Sequence, residues 1–414
     1  MAWRFPLMGR LVLLAVVGII AAEFGQARAQ TLDEGWSKLD AKYKGVGPRV
    51  RGFFRGQETV DPSDKGHLEA IDLAAKNYTY GVYLRKLETQ PSGIKKDFEE
   101  FEGEVNRILK SKSPDAVKPL AEVLSKQIGI HALEVIQLKG ALPIHKLHNA
   151  RVLAKTAELG KAPLADPLVT VLKDPQQNDG VHYYALKGLA ELLPLMQPPQ
   201  QATYATALVE FLEQKKGPDK NASIEEIDGF RILRREAIRA LAKTHTPAIN
   251  DKVRPALVLA RFAGNDSRIQ PPPRIDERIE AANGLARMQA PPKDNQYQAD
   301  YAAGQIAKCL GAMAQLADKE RANRDSRLHP WRILAAQLKD TLAALKKNNE
   351  KNNYVVQIVD KGSKLLDRVI NGAEISPNDQ TWWSSQQSDP PSKQLFQGSA
   401  DSNVTPAPPT EPDK

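Results

Sequence analysis

Apolar residues recur at helical spacing along almost the whole chain between Asp61 and Asn371. They return every three or four residues, and few runs alternate in the way that a strand does. Proline-rich connections such as Gln197–Gln200 separate these segments, because proline cannot continue a helix interior. The pattern predicts an all-α protein with helices at 63–88, 93–110, 115–126, 147–159, 163–173, 180–195, 202–214, 229–243, 251–262, 275–288, 296–322, 330–348 and 353–369.

Four of the predicted helices share one frame of nine residues. Its fourth, seventh and ninth positions carry no large side chain, and its eighth position is leucine. Gly188 and Gly284 occupy the seventh position, where glycine costs a helix about 1 kcal/mol relative to alanine. Such a stripe lets a neighbouring helix approach closely, so we expect these helices to pack side by side. The copies begin at Lys146, His182, Arg234 and Arg278.

The segment from Pro167 to Pro194 resembles a HEAT repeat, with spaced leucines in a first helix, an Asp-Pro turn and a second helix. In that family an arginine of the second helix commonly pairs with an aspartate six residues before it. Arg234 and Asp228 match this pair, whereas Arg278 supplies only the arginine. The resemblance implies an α-solenoid, a superhelix of HEAT-like helix pairs, over residues 113–372.

Two other regions flank the predicted solenoid. Residues 30–112 do not fit the frame, and we expect them to form the N-terminal helical cap that a repeat stack requires. Residues 373–414 are rich in Pro, Ser, Gln and Asp, which predicts a disordered tail. Trp382 and Trp383 are the strongly apolar residues of this tail, and they either dock a partner or pack on the protein's own surface.

The first 29 residues have the pattern of a signal peptide. Arg4 and Arg10 accompany the apolar run Leu11–Ala22, which is too short to span a bilayer comfortably. Ala27–Ala29 has the small residues of a cleavage site. We expect a mature chain that begins at Gln30, is exported to the periplasm or the extracellular space, and has no membrane span; an uncleaved anchor is the alternative.

The positive charge lies in the predicted helical body. The chain has a formal net charge of +8, and the tail after Gly372 contributes six acidic but only two basic side chains. One predicted helix carries an arginine ladder whose like charges, four residues apart, repel each other. Carboxylates of an adjacent helix or an anionic partner, such as an envelope polymer, must compensate them. Nucleic acid is not expected, since neither aromatic interleaving nor a groove-entering element is evident. The ladder consists of Arg231, Arg235, Arg239 and Lys243.

The sequence contains no recognisable catalytic arrangement. A glycine-rich phosphate loop, His-Glu-x-x-His and Gly-x-Ser-x-Gly are all missing. The single cysteine, Cys309, excludes an intramolecular disulfide and a cysteine-built metal cluster. His145 and His148 share a helix face and His131 lies upstream, but residues 144–155 offer no carboxylate to complete a metal site. We therefore predict no catalytic, cofactor-binding or metal-binding residues.

These observations favour an exported, non-catalytic protein-binding or scaffolding protein that presents an extended helical surface to another protein. Two alternatives remain open at the level of sequence. One is an exported enzyme or ligand carrier with a site in the concave face of the solenoid. The other is a polyanion-binding module that uses the basic helix at residues 231–243.

Overall fold

The computed structural model describes residues 35–86, 90–215, 217–219, 221–289, 296–322, 329–376, 382–383, 389–398 and 403–405. These residues form fourteen α-helices and no β-strand, which confirms the predicted all-α class. The helices are α1 Trp36–Phe54, α2 Lys65–Leu84, α3 Pro91–Leu109, α4 Pro114–Gln137, α5 Pro143–Ala157, α6 Ala165–Lys173, α7 Asp179–Leu192, α8 Pro198–Gln214, α9 Ile224–Leu241, α10 Pro255–Ala263, α11 Ile275–Ala286, α12 Ala299–Ala322, α13 His329–Asn348 and α14 Asn353–Asn371.

Apart from differences of a few residues at helix ends, two helical stretches lie outside the pattern-based prediction: all of α1, and the second half of α4 beyond Lys126. In α4, Gly129 weakens the helical signal of the sequence. A Cβ atom at Gly129 would lie 3.1 Å from Cγ of Pro167, near the start of α6. This glycine therefore allows a close approach of two elements.

The N-terminal unit extends to Pro167, and α1 to α5 belong to it. In this unit α1 packs on α2, α2 on α4, and α4 on α5. Phe53, Tyr80 and Leu124 are fully buried in its interior. The boundary between the units lies between Pro167 and Leu168, inside α6. The expected division into a cap and a repeat stack at residue 112 stays a prediction.

The C-terminal unit begins at Leu168 and contains the helices that carry the last three copies of the frame. Of these, α7 packs against α9 and α9 packs against α11, while α8 packs against α10 and α10 against α12. Gly188 and Gly284 are both buried. The frame leucines are also buried, which agrees with the predicted side-by-side packing; they are Leu153, Leu189, Leu241 and Leu285.

Local capping interactions set several helix ends. Ser223 and Glu226 form a capping box at the start of α9, in which each side chain accepts a hydrogen bond from the other residue's backbone N–H. Gly372 ends α14 in the left-handed conformation at φ 68°. Its N–H and that of Ala373 bind carbonyls of the last turn, so the helical body ends where the composition of the chain changes.

Candidate functional site

Carboxylates neutralise most of the arginine ladder on α9. Arg235 forms an ion pair with Asp276 at 2.9 Å, and Arg239 pairs with Glu280 of α11 at 2.6 Å and with Glu236 of its own helix. Arg231 donates to the carbonyl of Pro272 and lies 4.0 Å from Asp228. Lys243 is half-buried. An adjacent helix therefore compensates the repulsion between the arginines, and the ladder does not require an anionic partner.

The expected pair between Asp228 and Arg234 does not form. Arg234 instead makes a buried bidentate ion pair with Glu277 in the first turn of α11, at 2.6 and 2.9 Å. Asp228 accepts a hydrogen bond from Arg274 at 3.1 Å. The HEAT-like pair is not made here, because Arg234 binds both oxygens of the buried Glu277 carboxylate, whereas the half-exposed Asp228 pairs with Arg274. Arg234 consequently ties α9 to α11.

Arg278, the corresponding arginine of α11, binds backbone carbonyls. Its guanidinium donates to the carbonyl of Ala263 at the end of α10 and to that of Lys308 in α12, both at 3.1 Å. The carbonyls at the end of a helix lack intrahelical partners and favour a cation. Burial lowers the pKa of Arg278. Arg278 therefore links α11 to α10 and to α12 through hydrogen bonds.

The tail is not uniformly disordered, since three of its segments pack on the C-terminal unit. We call Trp382, Trp383, 389–398 and 403–405 together the docked tail. Its apolar side chains are buried: Leu395 is fully inaccessible and Phe396 is 2 % exposed. Both tryptophans are 8 % exposed, so they pack on the protein's own surface. The expectation of a disordered tail is wrong for these segments, because the average composition hides a few apolar anchors.

Two glycines of α12 provide room for the docked tail. A Cβ atom on Gly304 would lie 2.7 Å from the ring of Pro390, and one on Gly311 would lie 3.1 Å from Cβ of Trp383. The glycines are seven residues apart, which places them on the same helix face. This face, together with Asp300 and the preceding residues 296–298, forms what we call the α12 groove.

Backbone and side-chain hydrogen bonds fix the direction of the tail in the groove. Asp300, in the first turn of α12, accepts from the backbone N–H of Ser392 at 2.8 Å and from its hydroxyl at 2.9 Å. Gln298 N–H donates to the Leu395 carbonyl, and Gln397 N–H donates to the Gln296 carbonyl, both at 2.8 Å. The chain therefore runs antiparallel to α12 and pairs with the residues before it in an isolated β-bridge.

The last described segment, residues 403–405, packs against the loop after α10. Val404 N–H donates to the hydroxyl of Tyr301 at 2.8 Å, and Ser267 N–H donates to the Thr405 carbonyl at 2.8 Å. Thr405 N–H also reaches Asp266. Burial by itself would raise the pKa of Asp266, but hydrogen bonds from Arg268 and Thr405 outweigh it and keep the pKa below its ordinary value. The tail is thus bound at both ends of its path.

Cations of the helical body face the docked tail. The ammonium of Lys361 lies 4.0 Å from the ring centre of Trp382, and the guanidinium of Arg254 lies 5.1 Å from that of Phe396. Burial lowers the pKa of Lys308, and the carboxylate of Asp389 partly offsets that effect. Aromatic and acidic side chains of the docked tail therefore lie beside cations of the helical body.

A second concave region lies between α6, α7, α8 and α9. It consists of a cavity of about 530 Å³ and another of about 890 Å³, which share Asp179 and Lys215. These two side chains form an ion pair at 2.6 Å. His182 lines the first cavity, donates from Nε2 to the carbonyl of Asp174, and has a pKa lowered by burial. The region offers polar and aromatic contacts to a ligand.

The histidines considered as metal ligands have other partners. His148 is buried and donates to the carbonyl of Tyr78, and burial lowers its pKa to about 4. His131 lies between Asp72 and Glu134. Within the described residues, no three His, Cys, Asp or Glu side chains are placed to hold a metal ion. Cys309 is fully buried, and burial raises its pKa to about 11.

None of the described helices is long and apolar enough to cross a membrane. The predicted signal peptide, residues 1–29, lies outside the described residues. Export of the chain therefore stays a prediction from the sequence.

The similarity of this chain to known proteins is low. No protein-family model matches it, and no curated protein is significantly similar. Among solved structures, one of an engineered protein is similar to it at 15 % sequence identity, over 66 % of this chain and 98 % of that chain. The TM-score of that match is 0.26.

Proposed function

We propose that this protein is an exported, non-catalytic binding protein that holds extended segments of other proteins against stacked HEAT-like helix pairs. The single observation that supports this proposal most strongly is the tail seated along the α12 groove. There the helical body binds a segment of its own chain through buried apolar side chains, backbone hydrogen bonds and close contacts at Gly304 and Gly311.

The groove has the components of a peptide-recognition site. Main-chain pairing at residues 296–298 supplies affinity that depends little on sequence, in the manner of strand addition. Buried positions for Leu395 and Phe396 supply selectivity. The Asp300 carboxylate favours a serine or threonine at the position of Ser392, because it accepts hydrogen bonds from both the backbone N–H and the hydroxyl of that residue. The partner segment is therefore extended, contains proline and a hydroxyl residue, and ends in two large apolar residues.

In this proposal the docked tail occupies the α12 groove until a segment of a partner protein displaces it. A tethered segment benefits from a high effective concentration, so a competing segment must bind more tightly or be present in excess. The neutralised arginine ladder agrees with this proposal, because it removes the main reason to assign the chain a polyanion as its partner.

The test uses the full mature chain with a protease site placed in positions 384–388. After cleavage, the C-terminal fragment, which contains residues 389–405, is held only by noncovalent contacts. A fluorescent peptide of residues 389–405 should replace it and bind saturably, as measured by fluorescence polarisation. A control peptide that carries Leu395→Ala and Phe396→Ala should bind at least about tenfold more weakly, because it lacks both buried anchors.

Circular dichroism of the cleaved protein shows whether the helical body remains folded. If the body is folded and the wild-type peptide does not bind saturably, the groove is not a peptide-binding site and the proposed function is wrong. Equal affinity for the two peptides would also contradict it.

A further inference from the structure

A cavity of about 530 Å³ in the N-terminal unit has a strongly basic lining. It lies where α1 and α3 end and α4 begins. Arg55 is the C-cap of α1, Lys110 is the C-cap of α3, and Arg107 and Lys112 complete the set of cations. All four side chains belong to exposed residues, so a ligand from solution can reach them.

The charge of this cavity is poorly compensated, in contrast to the arginine ladder. Arg107 pairs with Glu104 on its own helix. No carboxylate of the described residues forms an ion pair with Arg55, Lys110 or Lys112. Three of the four cations that line the cavity thus have no ion pair with a carboxylate of the described residues.

Helix capping alone does not explain these cations. The C-terminal end of a helix favours a positive charge, but backbone N–H groups already bind the last carbonyls here. Arg55 N–H contacts the carbonyls of Arg51 and Phe53, and Lys110 N–H contacts those of Asn106 and Ile108. The charged ends of the side chains therefore remain available to a ligand.

Neutral groups of the cavity also suit an anion. Ser113 is the N-cap of the 24-residue helix α4, but its side chain makes no capping hydrogen bond, so its hydroxyl can donate to a ligand. Ser111 lines the same wall. A Cβ atom on Gly103 would meet no atom within 4 Å, which shows open space beside α3.

We propose that this cavity binds a small multivalent oxyanion with phosphate groups, of the size and charge of a diphosphate. Its volume lies in the range of about 300–1,000 Å³ that small-molecule sites occupy. Arg55 offers a planar fork that matches phosphate oxygens, and Lys110 and Lys112 add point charges. The bound anion is either a free diphosphate or the phosphate of a lipid headgroup. This site is independent of the α12 groove and of the proposed peptide binding.

The test measures binding of pyrophosphate to the full mature chain by isothermal titration calorimetry. In parallel, flotation with phosphatidylglycerol vesicles, compared with phosphatidylcholine vesicles, tests a lipid source. The variant Lys110→Gln/Lys112→Gln removes two cations of the cavity. The matched control Lys95→Gln/Lys96→Gln removes the same charge from α3, the helix that Lys110 caps, at positions whose lysines pair with Glu99 and Glu100.

We expect saturable binding of pyrophosphate or of anionic vesicles, reduced at least about tenfold in the Lys110/Lys112 variant and less than about twofold in the control. Binding of pyrophosphate identifies a soluble diphosphate, and binding of vesicles alone identifies a lipid headgroup. Absence of binding to both probes overturns the site. An equal loss in both variants shows general attraction to a basic protein and overturns it as well.

Discussion

Gly284 of α11 lies against Ala242 at the end of α9, so closely that a Cβ atom on Gly284 would be 2.5 Å from the Cβ of Ala242. The same atom would also lie 2.6 Å from the Cα of Ala242 and 2.9 Å from Cδ1 of Leu259. Because one of these neighbours is backbone, the contact cannot relax by a change of rotamer. In this contact the glycine at the seventh position of one copy of the frame packs against the alanine at the ninth position of the preceding copy.

The variant Gly284→Ala should therefore destabilise the protein. Alanine favours a helix by about 1 kcal/mol over glycine, but overpacking costs about 1–3 kcal/mol and should outweigh that gain. Urea unfolding followed by circular dichroism measures the free energy of unfolding. The control Gly229→Ala, in α9, meets no atom within 4 Å and should be neutral or stabilising. Equal effects of the two substitutions would show that Gly284 is not a packing requirement.

The pair of Arg234 and Glu277 predicts a large effect on stability. Their side chains are 5 % and 1 % exposed, so Glu277→Gln leaves a buried guanidinium without its counter-ion. Breaking such a pair costs about 3–5 kcal/mol. Asp228→Asn removes the partner that the HEAT resemblance implies, but this carboxylate is 45 % exposed and should contribute less than about 1 kcal/mol. Thermal unfolding compares the two variants, and the reverse order of stabilities would restore the HEAT-like pair.

The cluster around His131 predicts a pH dependence of stability. Burial lowers the pKa of His131, but hydrogen bonds to Asp72 and Glu134 outweigh that effect, so the net shift is upward. A raised folded pKa stabilises the protein fully below the unfolded value of about 6.5. The contribution is lost as the pH rises through the folded pKa.

The measurement is the difference in free energy of unfolding between wild type and His131→Gln, from about pH 5.5 to 9. This difference should decrease as the pH rises, because only the wild type loses a charged histidine between two carboxylates. A difference that increases or stays constant would contradict the assigned interactions.

Gly304 provides a test of how the tail is seated. The variant Gly304→Leu should expel Pro390, since even a Cβ atom would be 2.7 Å from the proline ring. Limited proteolysis, followed by mass spectrometry, should then show faster cleavage between residues 389 and 405. Gly45→Leu, at a helical position with no atom within 4 Å, is the control and should leave the cleavage rate unchanged.

Cleavage of the signal peptide gives a separate prediction. N-terminal sequencing of the protein exported by its source cells should begin at Gln30, because Ala27 and Ala29 have the small side chains that the peptidase requires. A chain that begins at Met1 and remains with the membrane fraction would instead show an uncleaved anchor.

The all-α class and the packing frame could be predicted because both depend on local periodicity. Helical spacing of apolar residues identified most helices, and the recurrence of small residues predicted the buried positions of Gly188 and Gly284. The first helix of the body, α1, was not predicted from the pattern. Helix α1 contains Pro48 and a high proportion of charged residues, which weakens its apolar pattern.

Contacts between distant segments were not predictable from spacing. The partner of Arg234 lies 43 residues away and depends on how α11 is placed. The basic cavity joins Arg55 to residues 103–113, so no single window of sequence contains it. Leu395 and Phe396 are anchored by residues roughly a hundred positions earlier, whereas the surrounding composition is that of a disordered chain.

Hydrogen–deuterium exchange of the intact mature chain, measured by mass spectrometry on fragments that cover residues 389–405, tests the central claim most directly. The amides of Ser392, Gln397, Val404 and Thr405 are donors to the body and should exchange at least about a hundredfold more slowly than in the free peptide. Exchange at the rate of the free peptide would show that the tail does not occupy the α12 groove, and would contradict the proposed mode of binding.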